Sequence, residues 1–136
     1  MIKLVYGPKG FGKTKIMLDD VNAAAEKAKG NVVFITDKRM CSVAINLNVR
    51  CVYTEEYGIN TVDGFEGFVK GLIAGNHDIE NIFIDGILRI TDANLDELEK
   101  PFKEIKKICD ANNVALEVTV SATKEQLPQY MLEYIA

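Results

Sequence analysis

The segment Gly7-Pro8-Lys9-Gly10-Phe11-Gly12-Lys13-Thr14 fits the pattern G-x-x-x-x-G-K-[ST], a spacing suited to phosphate chemistry. Glycines permit backbone dihedrals that turn successive N–H groups inward. Such a loop forms a nest for phosphate oxygens at the positive end of the helix that follows. In that geometry Lys13 reaches the β- and γ-phosphates, and the Thr14 hydroxyl ligates Mg²⁺. Lys9 and Phe11 occupy the variable positions, where Lys9 adds charge and Phe11 either covers the loop or sits exposed. A matching acid is Asp85, which closes the apolar run Ile82-Phe83-Ile84. Doubly wound sheets place ligands at the carboxyl ends of their strands, and a carboxylate there holds Mg²⁺ opposite the loop. Asp37, closing Val32-Val33-Phe34-Ile35-Thr36, is the alternative magnesium carboxylate.

The elements that must position these residues alternate between two hydrophobic periods, which indicates α/β. Strand-like runs occur at Ile2 to Tyr6, Asn31 to Thr36, Cys51 to Thr54, Asn81 to Ile84 and Ala115 to Val120. Most are nearly continuous in apolar residues, as parallel strands buried on both faces require. Helical spacing appears in Lys13 to Lys29, with Gly30 as its stop, and in Val62 to Ala74. The second of these also carries a glycine row, Gly64, Gly67 and Gly71, read as close packing against the sheet or, alternatively, as a partner surface. A third helix is signalled by Leu95, Leu98, Phe102, Ile105 and Cys109, with Asn94 and Glu97 as a capping box and Pro101 as a kink or restart. Lys124 to Ile135 is expected as a terminal helix. The expected architecture is a three-layer α/β/α domain spanning residues 1–136, with a mainly parallel sheet of about five strands.

Composition limits what such a domain does. At 136 residues, 48% hydrophobic and 26% charged, the chain is of ordinary globular type. A net charge of −4 gives no general attraction to nucleic-acid backbones and leaves only a local basic patch for such contact. Cys41, Cys51 and Cys109 form no CxxC pair, and His77 has no metal-ligand neighbours at finger spacing, so a reducing cytoplasm and no zinc site are expected. The opening run Met1 to Gly7 is too short for a signal h-region or a membrane span.

With these residues the chain resembles the P-loop NTPases, its Walker A motif at Gly7 to Thr14 and its Walker B motif ending at Asp85. The likeness runs over essentially the whole chain as a strand–helix alternation, but only the two motifs are specific. It implies ATP and Mg²⁺ as ligands. Gly7, Pro8, Lys9, Gly10, Phe11, Gly12, Lys13 and Thr14 would surround the phosphates, Thr14 and Asp85 would hold magnesium, and Lys13, Asp85 and Ser121 would be the catalytic candidates.

A strand at Cys51 to Thr54 suits the RecA-like branch, whose core has an added strand beside the phosphate loop. Ser121-Ala122-Thr123 is similar to the S-A-T motif of helicases, or to the polar sensor that RecA-like proteins place beside the γ-phosphate. Ser121 can equally be a cap for the last helix. RecA-like hydrolases and thymidine kinases typically carry Glu after the Walker B Asp, and here the residue is Gly86. Unless Glu55, Glu56 or Asp37 orients the attacking water, ATP turnover should be weak, absent or dependent on a partner.

Two alternatives stay open. Phe83 to Arg89 resembles the D-G-x-x-R segment of nucleoside monophosphate kinases, in which Arg89 would bind a substrate phosphate. The arginine-rich lid of those kinases has no counterpart in Ile90 to Ala136, and Arg39, Arg50 and Arg89 are all the arginines present. The other alternative is a nucleotide-gated interaction module, in which a protein partner or second copy docks on the glycine row and completes the site.

Overall fold

Five segments form strands: β1 (Ile2–Gly7), β2 (Asn31–Thr36), β3 (Val49–Tyr53), β4 (Ile79–Ile84) and β5 (Ala115–Ser121). All pair in parallel into one sheet of order β1-β5-β4-β2-β3. This structure, a computed structural model, describes residues 1–39 and 45–135; Cys41 lies outside them. The central strands are apolar on both faces because both faces are covered. In β2, Val33 and Ile35 enter one core while Val32 and Phe34 enter the other.

Helix α1 (Lys13–Lys27) lies on one side of the sheet and buries Met17, Leu18 and Val21 against Val32, Phe34 and Phe83. On the other side, α2 (Val62–Gly75) contributes Phe65, Val69 and Ile73. After the short α3 (Ile87–Thr91), α4 (Glu99–Ala111) adds Phe102, Ile105 and Cys109 to that same core. The result is a three-layer α/β/α arrangement. Fully buried side chains such as Phe34, Phe65 and Ile84 each contribute roughly 1.5–3 kcal/mol of burial free energy, which holds the layers in register.

Asn94 and Glu97 form the expected capping box, each side chain accepting the other's backbone N–H at 3.1 Å. A 3-10 turn at Leu95–Leu98 restarts as α4, with Pro101 in the first helical turn, where its missing N–H costs nothing. Three expectations fail. The segment from Lys124 onward is not one helix: it makes a 3-10 turn at Lys124–Gln126 and a four-residue helix α5 (Gln129–Leu132), because Pro128 cannot continue the first turn. Its end then runs beside the β1 edge, where the Leu4 N–H donates to the Tyr134 carbonyl at 2.8 Å. The glycine row does not pack against the sheet, since a Cβ built at Gly67 or Gly71 meets no atom within 4 Å. Finally, β3 is the outer strand beyond β2, and the strand beside β1 is β5.

The layer under α1 is polar at the β1–β5 end. Leu116, Val118 and Val120 of β5 face the α2–α4 core, so strand alternation turns Glu117 and Thr119 toward α1. Glu117 is buried beside Asp20 of α1, with Lys3 Nζ 3.5 Å from Asp20 and 3.6 Å from Glu117. Among the described residues, Asp20 Oδ2 and Glu117 Oε2 have no partner in hydrogen-bond geometry, Lys3 Nζ approaching Asp20 Oδ2 only as an ion pair. Burial first, and then the neighbouring Asp20 carboxylate, push the Glu117 carboxyl up to about 7.

A carboxyl whose pKa is raised by folding binds its proton more tightly in the native state. Its contribution to stability is therefore largest below the unfolded value and falls as pH rises toward about 7. Chemical denaturation at pH 5 and pH 8 should show Glu117→Gln flattening this decline and raising stability at pH 8 by about 1 kcal/mol or more. A variant with the wild-type pH slope would show that Glu117 does not carry it.

Candidate functional site

The carboxyl ends of β1, β4 and β5 converge on a cleft of about 370 Å³ lined by Lys9, Gly10, Gly12, Lys13, Thr14, Asp85, Arg89, Thr119 and Ser121. The loop leaves β1 at Gly7 and enters α1 at Lys13. Gly10 and Gly12 have φ of 86° and 84°, a left-handed conformation that side-chain-bearing residues adopt only at a cost. Among the described residues no side chain caps α1, and no acidic residue occupies its first turn. Its amide donors and positive dipole end are thus left to an anion. Phe11 does both things expected of it: its ring edge lies where a Gly7 Cβ would come within 2.9 Å of it, and the remainder is exposed. Lys9 is exposed on the rim.

Lys13 is buried and its Nζ donates to the Pro8 carbonyl at 3.0 Å, folding back across the loop. Burial holds its pKa below the usual lysine range; Asp85 opposes this and Arg89 adds to it. The Thr14 hydroxyl donates to Asp85 Oδ2 at 3.0 Å across 71 positions of sequence. This contact brings the two proposed magnesium ligands together, whereas Asp37, the alternative, is engaged elsewhere.

Asp85 is 2% exposed. Its other oxygen, Oδ1, accepts from the Thr119 hydroxyl at 2.7 Å, and Thr119 Oγ1 in turn accepts the Gly86 N–H at 2.8 Å. Sequence reading missed Thr119, which lies two positions before Ser121 on the α1-facing side of β5; the available signal was a hydroxyl interrupting an apolar strand. Thr119→Val should leave the buried Gly86 N–H without its partner and lower unfolding free energy by about 2 kcal/mol. Urea denaturation checks this; an unchanged midpoint would mean that the hydroxyl is dispensable.

Asp37 sits at the end of β2. Its carboxylate accepts from Arg89 Nε and Nη2, both at 3.3 Å, and Thr36 Oγ1 lies 3.2 Å from Asp37 Oδ1. Burial works to raise the Asp37 pKa, but the Arg89 hydrogen bonds and charge outweigh it and hold the carboxyl below its usual range. Arg89 Nη2 also approaches Asp85 Oδ2 at 3.7 Å. Ser121 pairs in register with Gly7 and so stands beside the start of the loop. The turn after β5 is capped by Thr123, whose N–H donates to Gln126 Oε1 at 2.8 Å, so the cap reading of Ser121 does not hold. Glu56 is paired with Arg39 at 2.8 Å, and neither it nor Glu55 lines the cleft. Arg39 also lies over the Tyr53 ring, 4.7 Å from its centroid.

Among the described residues, no group of three or more His, Cys, Asp or Glu is placed to hold a metal. A zinc-like or all-protein calcium cage is not what these side chains build. Magnesium commonly takes one or two protein oxygens and completes its shell with water and phosphate. A hydroxyl and a carboxylate at 3.0 Å, set against an uncapped helix end, are donors of the type that ion uses. Among the described residues no helix is long and apolar enough to cross a membrane. No family model and no curated protein matches the chain.

Proposed function

We propose that this chain binds a nucleoside triphosphate, ATP by default, with Mg²⁺, and hydrolyses it slowly or only with a partner. The observation that carries this reading is the Thr14–Asp85 contact at 3.0 Å, made directly over an uncapped helix N-terminus preceded by two left-handed glycines. Two motifs far apart in sequence meet where each needs the other.

In this reading the loop amides from Gly10 to Thr14 and the Lys13 ammonium hold the phosphates. Thr14 and Asp85 hold Mg²⁺, which when bound offsets the charge on the β- and γ-oxygens. Lys13 must leave the Pro8 carbonyl to reach the phosphates, an exchange favoured because a charge-assisted bond to an anion is stronger than one to a neutral carbonyl. Ser121, level with Gly7, is the γ-phosphate sensor candidate. Position 86 carries no side chain to orient water. Of the three carboxylates considered for that duty, Asp37 is the one at the neighbouring strand end, paired with the cleft-lining Arg89. The strand expected to mark the RecA-like branch, at Cys51 to Thr54, lies at the far edge of the sheet; what supports that branch instead is β5, a strand set between β1 and β4.

Calorimetric titration with ATP and GTP analogues, with and without Mg²⁺, tests the reading. Micromolar, magnesium-dependent binding is the expected result. Absence of binding to both would refute a working nucleotide site in the isolated chain.

A further inference from the structure

Gly86 has φ of 81°, and a Cβ built there would lie 2.3 Å from both the Cζ and Nη2 of Arg89. The guanidinium therefore rests in the space that a side chain at position 86 would fill. From that seat it spans two carboxylates at neighbouring strand ends, hydrogen-bonded twice to Asp37 at 3.3 Å and lying 3.7 Å from Asp85. It is half-exposed and lines the phosphate cleft together with Lys13, whereas Asp37 is largely buried behind it. A side chain at position 86 would displace the guanidinium from this seat, and the positive φ itself favours glycine there.

We infer that Arg89 is a γ-phosphate contact supplied within the chain, and that Asp37 holds it in reserve until a triphosphate occupies the loop. This rests on the nucleotide reading above and adds discrimination between tri- and diphosphate. The guanidinium carries five N–H donors, of which Asp37 engages two. A γ-phosphate adds one net negative charge over a diphosphate and moves the terminal group one phosphate further into a cleft already holding Lys13, where it competes for the guanidinium through the bidentate geometry arginine favours. A diphosphate ends one phosphate short and leaves the Asp37 pair closed. Part of the triphosphate's binding free energy is used to break that pair, so Asp37 lowers the apparent affinity while keeping Arg89 oriented. Opening the pair also frees the Asp37 carboxylate, which stands behind the cleft-lining Arg89. The ligand distinguished is the terminal phosphate, whatever the base.

The test is calorimetry with a non-hydrolysable ATP analogue and with ADP, each with Mg²⁺, on the full chain, with thermal melting as the folding control. Arg89→Met should weaken analogue binding about tenfold, near 1.4 kcal/mol, and leave ADP within twofold. Asp37→Asn should strengthen analogue binding severalfold with ADP unchanged, and the double variant should match Arg89→Met. Arg89→Lys, which keeps the charge without the fork, should fall between wild type and Arg89→Met and serves if the methionine variant melts early. Equal weakening of both nucleotides by Arg89→Met, no weakening of either, or tighter ADP binding in Asp37→Asn would overturn the inference. Lys13→Ala separates the two readings: loss of both nucleotides in that variant upholds the binding site whatever Arg89 does. A wild-type chain that binds neither nucleotide overturns both readings.

Discussion

Lys13→Ala is expected to lower affinity for Mg²⁺-ATP about 100-fold or more, consistent with removal of one or two charge-assisted hydrogen bonds from a partly desolvated site. The fold should survive. Among the described residues, the Lys13 side chain donates one hydrogen bond, to the Pro8 carbonyl of the loop. Alanine is the strongest helix former and continues α1 from its first residue. The burial that holds the lysine pKa below its usual range is also relieved, so a small rise in melting temperature is compatible with the proposal. Titration calorimetry measures the affinity and circular dichroism the fold. A folded variant with wild-type affinity would refute phosphate binding at the loop.

Asp85→Asn should abolish the magnesium dependence of binding, so that affinities with Mg²⁺ and with EDTA converge. The effect is large because Asp85 is the hub of the cleft, accepting Thr119 on one oxygen and Thr14 on the other. An amide that keeps its oxygen on Thr119 turns its NH2 toward both Thr14 and Arg89, and it cannot supply the anionic oxygen a hard cation prefers. Stability should fall by about 1–3 kcal/mol through the weakened hydroxyl pairing. Titrations with and without the metal, together with urea denaturation, read the two effects separately. Persistent magnesium dependence in the asparagine variant would remove Asp85 from the metal site and return Asp37 to consideration.

The same cleft explains which parts of the site were legible in the residues. Gly7 to Thr14 is contiguous, and its residue types follow backbone conformation: Gly12, the second glycine of the pattern, occupies a left-handed dihedral, as does Gly10 at a variable position. Asp85 was legible because the apolar run before it marks a buried strand and the charge marks its end. Thr119 and the Asp37–Arg89 pair were not, because each acts through a partner on another strand. Thr119 is separated from Asp85 by 34 positions and Arg89 from Asp37 by 52. Nothing in local spacing reports such contacts. The glycine row failed for a related reason: small residues at helical spacing are compatible with a packed face or a bare one, and exposure depends on where α2 lies.

Sequence alone determined the alternation of strands and helices, the loop, the strand-end acid and the capping box at Asn94. Each follows from a period or from a dihedral preference confined to a few neighbouring residues. Only the tertiary structure decided the strand order. Near-continuous apolar runs say that a strand is buried on both faces without saying beside which neighbour. That order sets β5 next to β1 and so brings Ser121 level with Gly7 and Thr119 under Asp85. It also sets β2 beside β4, bringing Asp37 within reach of an arginine that folds back over Gly86.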